Sequence, residues 1–271
     1  MTLGTGHEWI PPGIDAGRPS VARVHDALLG GTENFAVDRA VADRLKQAVP
    51  EVVDLVWCNR AFIGRATDHL VREAGITQLI DLGSGLPTIE NTHEVAQWAD
   101  PRARVVYVDI DPMVELHSRT ILRENGQAVV ITADVRDVDS VLGHPDLLRL
   151  IDFSRPVGVL MVGLLHLFPD DADPWKLVAE YLQPLASGSH LVASNFYASP
   201  SPQAKALEAM LHATMGTGHF RSRAAIGRFF SGLDLVDPGL VPFPQWRPDG
   251  PPPVSLAPWE EILLGAAARK P

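Results

Sequence analysis

From Thr77 onward, short runs of Val, Ile and Leu alternate with longer stretches in which apolar residues recur every three to four positions. The short runs have strand length and composition, whereas the longer spacing marks one face of a helix. The pattern predicts strands at 78–82, 104–109, 128–132, 157–162 and 190–194, with amphipathic helices over 89–99, 113–124 and 175–181. Asp173-Pro174 opens the last of these with an N-cap and a first-turn proline, where a missing amide hydrogen costs nothing. Val157-Gly158-Val159-Leu160-Met161-Val162 has lost all polar alternation, as expected of a strand covered on both faces. Such an order predicts a doubly wound α/β fold with a mainly parallel sheet, because right-handed crossovers put helices on both sides.

Ahead of the sheet, 20–29, 35–48 and 52–74 read as helices, broken at Gly30-Gly31 and Pro50. They predict a helical cap, residues 1–75, over one end of the sheet. Doubly wound sheets bind ligands beyond the carboxyl ends of their strands, so a cap there would cover a site. Sixth and seventh strands are expected near 233–236 and 261–267, separated by 242–258, where seven of 17 residues are proline. Proline lacks the amide hydrogen that a ladder needs, so this stretch predicts an irregular, extended loop outside the sheet. Met210, Leu211 and Met215 read as the packing face of a further helix. No repeat or compositional break divides the chain, and the expectation is one domain over 1–271, with the sheet-bearing core at 76–271.

Composition narrows the classes of function. With 46% hydrophobic and 21% charged residues, the chain has the balance of a globular protein. Twenty-three Lys and Arg against 33 Asp and Glu leave a net charge of −10, which repels phosphate backbones, so nucleic acid is not an expected partner. The longest apolar run, Val157 to Leu165, is far short of the roughly 20 residues of a membrane helix. No basic-then-apolar signal pattern opens the sequence, and a cytoplasmic location is expected. One cysteine, Cys58, allows neither an internal disulfide nor a thiolate cluster, and no metal site is predicted.

The strongest chemical signal is Leu79-Ile80-Asp81-Leu82-Gly83-Ser84-Gly85-Leu86-Pro87-Thr88, a strand that runs through two glycines toward a helix. Glycines allow backbone to approach a ligand, and free amides at such a turn hold anions in dinucleotide enzymes. Here Thr88 stands in place of the third glycine, and Asp81 precedes the first by two positions. A carboxylate there would repel a pyrophosphate and attract an ammonium or sulfonium group. A tight turn without a ligand is the alternative. The second strand ends at Asp109, 21 residues after Thr88, close to the spacing at which an acidic residue accepts ribose hydroxyls. Asp111, ahead of Pro112, reads as a helix cap. Just past the third strand, Asp134 and Val135 offer a carboxylate for an adenine amino group and an apolar side chain for its ring; a solvated loop residue is the alternative for Asp134.

Asp81-x-Gly83-x-Gly85 resembles the first motif of class I S-adenosylmethionine-dependent methyltransferases. More closely, the segments from Arg23 to Phe35, Asn59-Arg60-Ala61-Phe62, His93-Glu94-Val95-Ala96, Phe229 to Leu233 and Pro238-Gly239-Leu240 resemble a bacterial family of such enzymes. The resemblance extends from about Arg18 to Lys270. It implies a seven-stranded sheet whose last strand is antiparallel. It also implies that Asp81, Gly83 and Gly85 meet the methionine part of the cofactor, Asp109 the ribose, and Asp134 with Val135 the adenine. Ser84, Ile110 and Gly163 complete the expected cofactor set.

Arg60 reads either as a partner of the cofactor carboxylate or as a helix-surface partner of Glu51 and Asp54. Because the sulfonium is already a strong electrophile, such a protein mainly aligns its reactants and excludes water, and no triad is needed. Neither G-x-S-x-G, H-E-x-x-H nor an Asn-Pro-Pro-aromatic motif occurs. His166, in the loop after the fourth strand, is the candidate general base, with an unperturbed pKa of about 6.5; a packed loop histidine is its alternative. Asn195 and Tyr197 are candidates to line an acceptor pocket. The expected function is transfer of a methyl group from S-adenosylmethionine to a small-molecule acceptor. The alternatives are a sensor that binds S-adenosylmethionine or S-adenosylhomocysteine without chemistry, and a NAD-dependent oxidoreductase.

Overall fold

The computed structural model describes residue 10 and residues 13–271; positions 1–9, 11 and 12 of the predicted cap lie outside the described residues. Its centre is a sheet in which β1 (Gln78–Leu82), β2 (Arg104–Asp109), β3 (Ala128–Thr132), β4 (Gly158–Met161) and β5 (His190–Phe196) are parallel. Three strands follow, β6 (Asp234–Leu235), β7 (Val241–Pro242) and β8 (Leu263–Arg269), and β8 runs antiparallel to β5. The spatial order is β3-β2-β1-β4-β5-β8-β6, with β7 also paired to β8. The chain therefore reverses its winding between β1 and β4, the position at which open α/β sheets form a ligand crevice.

Alternate residues of each strand feed separate cores. Leu79, Val105, Tyr107 and Leu160 pack on one face, and Ile80, Val106, Val108, Val159 and Met161 on the other. This is why these strands carry no polar positions at their centres. Helices α1 (Val21–Leu28), α2 (Ala36–Ala48), α3 (Val52–Arg72), α4 (Thr92–Ala99) and α5 (Pro112–Ile121) contribute to the first core. Helices α6 (Val138–Leu142), α7 (Pro145–Leu150) and α8 (Pro174–Leu182) contribute to the second. Two more, α9 (Pro202–Met215) and α10 (Arg223–Gly227), precede the C-terminal strands. Helices α6, α7 and α10 span only five or six residues, too few for a helical period to register in the sequence. Helix α4 starts at its Asn91 cap rather than at Ile89, and Asp111 caps α5 through a 2.9 Å bond from the Met113 amide.

The N-terminal helices are tied to the sheet by a buried cation. Arg23 bonds Asp38 of α2 at 2.9 Å and Asp111 at 3.4 Å, while its remaining amino group donates to the carbonyls of Asp15 and Arg18. Ser20 also donates to Asp111. The Leu28-Leu29-Gly30-Gly31 segment ends α1 around Asp26, whose carboxylate accepts from the Glu33 amide and the Asn34 side chain. A Cβ at Gly31 would lie 2.0 Å from an Asp26 oxygen, so only glycine allows this turn.

The proline-rich segment departs from expectation at its start. Pro242 belongs to β7 and pairs with Leu264. It is tolerated because β7 is paired on one side only, where the missing amide hydrogen is not needed. Phe243 then stacks on Phe62 at 4.2 Å, Trp246 meets Phe62 edge-on at 5.3 Å, and Arg65 donates to the carbonyls of both Phe243 and Trp246. Aromatic packing therefore pins a stretch that lacks regular structure to α3. Among the described residues no helix is long and apolar enough to cross a membrane.

Candidate functional site

A cavity of about 570 Å³ opens at the carboxyl ends of β1 to β4, under the segment that leads into α1. Its floor is the bend after β1. Gly83 has φ of +70° and donates to the Val108 carbonyl at 2.8 Å, and a Cβ at this position would come within 2.7 Å of the Leu164 side chain. Both the left-handed backbone and the close approach require glycine here. The Gly85 amide donates to Asp109 at 2.8 Å, and the Asp111 amide donates to the other Asp109 oxygen at 2.9 Å. Asp109 thus faces the cavity as a fixed acceptor, although burial raises its pKa above the ordinary carboxylate value.

Gly83, Ser84, Gly85, Asp109, Ile110, Asp134, Val135, Gly163 and Arg60 all line this one cavity. Ile110 stands at its open side, 61% exposed. Asp134 is held by its neighbour Arg136, with Nε at 2.9 Å, and that pairing lowers its pKa. Val135 is buried, and its carbonyl accepts from the Tyr181 hydroxyl at 2.8 Å. The Gly163 amide donates to Ser194 Oγ at 3.0 Å. Arg60 projects from α3 and donates to the carbonyls of Ile89 and Glu90 at 2.9 and 3.0 Å; it makes no hydrogen bond or ion pair with Glu51 or Asp54. Ser84 Oγ and Arg60 Nε are buried without a hydrogen-bond partner among the described residues.

Four predicted residues lie elsewhere. Asp81 does not line the large cavity. It is paired in register with Tyr107 on the face of β1 opposite Ile80 and Leu82, so its side chain turns into a narrow adjoining crevice bordered by Thr92, His93 and Tyr107. Its carboxylate accepts from the Thr92 hydroxyl at 2.6 Å, and burial pushes its pKa up to about 6 against the pull of Arg60. The crevice shares Arg60, Ser84 and Gly85 with the cavity, so Asp81 acts on the bend from behind.

His166 sits in a short 3₁₀ turn, 165–167, and faces a second cavity of about 120 Å³. Burial, reinforced by Arg221, drives its pKa down to about 3. The expectation of a histidine titrating near neutral pH therefore fails: desolvation removes the charged form. Its Nδ1 has no hydrogen-bond partner among the described residues, and its ring lies 4.4 Å from that of Phe196. Asn195 is fully buried, donates to the Phe196 and His219 carbonyls and accepts from Arg221 at 2.9 Å. Tyr197 borders a different surface groove. Neither lines the two cavities.

Sequence reasoning missed His25 and Asn59, which border both cavities. Burial and the nearby Arg60 lower the His25 pKa to about 4. Both residues fall in segments that carry the family resemblance, a signal that marked them without assigning a role. Reasoning from strand ends also missed the stretch from Gly13 to Arg23, which closes the large cavity on the cap side.

The family model of S-adenosyl methyltransferases matches residues 7–271. The chain is similar to a crystal structure from Thermobifida fusca YX assigned as a methyltransferase, with a TM-score of 0.93 and 44% identity over 97% of this chain and 98% of that one. A DUF574 family protein from Streptomyces avermitilis MA-4680 superposes with a TM-score of 0.90 and 35% identity, covering 95% of this chain and 99% of the other. The mitomycin 7-O-methyltransferase MmcR, at 14% identity and a TM-score of 0.52 over 94% of this chain and 74% of that chain, shares the fold. No curated protein matches the chain. A mainly parallel sheet, a glycine bend beneath a cavity and a family match over nearly the whole sequence lead to one assignment: the chain belongs to the S-adenosyl methyltransferase family.

Proposed function

We propose that the large cavity binds S-adenosylmethionine and that the protein passes its methyl group to a small molecule rather than to nucleic acid, in the bacterial cytoplasm. One observation carries this reading. Around one volume stand an acceptor at Asp109 on the end of β2, an acceptor with an apolar neighbour at Asp134 and Val135 after β3, and two orphaned polar atoms, Ser84 Oγ after β1 and Arg60 Nε from α3. Those donors and acceptors fit the two ends of the cofactor. Asp109 would accept the ribose hydroxyls, and Asp134 and Val135 would hold the adenine edge and face. Arg60 Nε and Ser84 Oγ, which lack protein partners, would complete their hydrogen bonds on the amino-acid end, where a guanidinium suits a carboxylate. Negative net charge and a cavity closed by the N-terminal helices favour a small acceptor over a polyanion.

When bound, the cofactor supplies a methyl carbon already activated by a positive sulfur. The chain's part is alignment and exclusion of water. Asp109 is fixed by two backbone amides before any ligand arrives, so its acceptor geometry is built in advance. Asp81, with a pKa pushed up to about 6 by burial, is still mainly ionised at neutral pH and places a negative charge behind the bend, where it favours a cationic group. Titration calorimetry with S-adenosylmethionine and S-adenosylhomocysteine, together with transfer of labelled methyl into a metabolite extract, tests the proposal. Heat with both compounds and an acceptor-dependent labelled product are expected. Binding without product in any extract would favour a sensor.

A further inference from the structure

The second cavity, which the cofactor reading leaves without a role, differs sharply from the first. It lies between α1, α2, α3 and α9 and the ends of β5 and β8, and its wall is built largely of Leu28, Val56, Phe196, Leu207, Leu211 and Met215. Among the described residues, no Asp, Glu, Lys or Arg lines it; its polar side chains are His25, Asn59, His166 and Thr217. Val21, His25, Asn59, Gly163 and Leu167 border both cavities, so the two volumes meet at a junction with a histidine and an amide on it. Asn59 is close to the strand end there, since a Cβ on Gly163 would lie 3.7 Å from its Oδ1. Deeper in, the His166 side chain is more than nine-tenths buried and carries an unpartnered Nδ1.

An isolated charge on an occupant would go uncompensated in such a wall. A carboxylate or phosphate would find no cation, and an ammonium no carboxylate. A neutral apolar body with one polar atom at the junction leaves nothing unpaired. We infer that this cavity is the acceptor site, that it takes an uncharged, mainly apolar molecule of one or two rings bearing a hydroxyl group, and that the hydroxyl donates a hydrogen bond to His25 beside Asn59. The inference rests on the methyl-transfer reading of the first cavity.

On transfer, a lone pair of the hydroxyl oxygen forms the bond to the methyl carbon, the carbon–sulfur pair stays on sulfur, and the hydroxyl proton passes to His25. Positive charge moves from sulfur to the imidazole and is not newly created. Burial and Arg60 keep this histidine in its base form and also disfavour the imidazolium; loss of the neighbouring sulfonium charge during transfer offsets part of that penalty. His166, which does not reach the junction, is left to pack against the body of the acceptor.

Calorimetry on protein saturated with S-adenosylhomocysteine tests the site with four probes: 2-naphthol, naphthalene, 2-naphthoate and 2-naphthylmethylammonium. The naphthol should bind at least tenfold more tightly than either charged probe. Met215→Trp, which fills the cavity from α9, should weaken naphthol at least tenfold and leave S-adenosylhomocysteine affinity unchanged. His25→Leu should weaken naphthol about tenfold without altering naphthalene, while His25→Gln, which keeps an acceptor atom but no base, should bind naphthol within threefold of the wild type and lose at least 100-fold of labelled methyl transfer to it. Equal affinity for a charged probe, insensitivity to Met215→Trp, or naphthol bound but not methylated by the wild type would overturn the inference. Failure of S-adenosylhomocysteine itself to bind would instead overturn the reading on which it rests.

Discussion

Asp109 is held by the amides of Gly85 and Asp111 and still faces the cavity, whereas Asp81, also an aspartate near the carboxyl end of a strand, does not. The difference is one of position along the sheet: both carboxylates lie on the face that carries Tyr107, but Asp81 pairs with Tyr107 and is covered by Thr92 of α4, whereas Asp109 stands two residues farther out, at the cavity. Asp109→Ala should accordingly weaken cofactor binding more than tenfold, since a charged hydrogen-bond partner is worth about 1.5 to 3 kcal/mol; unchanged calorimetric affinity would refute its contact with ribose. Gly83→Ala sets a Cβ against Leu164 on a backbone with φ of +70°. Such a change should cost about 1 kcal/mol or more, read from the urea midpoint, because the residue combines an unfavourable conformation with a clash.

Elements are joined here by a few buried polar ties. Arg23 of α1 stands between Asp38 of α2 and Asp111 at the end of β2, all three nearly inaccessible to water. Removing the cation would leave two carboxylates buried and unpaired, which typically costs about 3–5 kcal/mol. Arg23→Met is therefore expected to shift the denaturation midpoint strongly, and to loosen α1 over both cavities, so that proteolysis within the first 35 residues rises in step. An unaltered midpoint would mean that water reaches the cluster. The proline-rich segment shows the opposite device: Phe243 and Trp246 anchor it by aromatic contact with Phe62, and its backbone needs no ladder except at Pro242.

For the molecule as a whole, acid should uncover the same buried groups. His25 and His166 have native pKa values pushed from 6.5 to about 4 and about 3. Between those values and 6.5 the unfolded chain binds protons that the native state refuses, so their contribution to stability is complete above pH 6.5 and declines as pH falls. Asp81, raised from 3.8 to about 6, has the reverse sign: its native form gains a proton the unfolded chain lacks, and it offsets part of the loss below pH 6. The melting temperature should fall from pH 7 to pH 4.5, and should fall less in a His25→Gln, His166→Gln double variant; parallel curves would show that neither histidine is buried neutral. A cofactor present at 100 times its dissociation constant should add about 2.7 kcal/mol to stability, seen as a rise in melting temperature.

Apolar periodicity alone established the five parallel strands and the three N-terminal helices, because burial on both faces of a sheet and on one stripe of a helix leaves a repeating trace in local composition. The strand end at Asp109, and the place of Asp134 just past β3, were legible for the same reason. Helices of five or six residues left no trace, and the pairing of Pro242 depended on a partner strand more than 20 positions away. Folding alone decided that Asp81 turns behind the bend, that His166 loses its charge in a separate cavity, and that His25 and Asn59 stand between the two cavities. Coverage and desolvation are set by what packs against a residue from distant parts of the chain, and neither is written in its immediate neighbours.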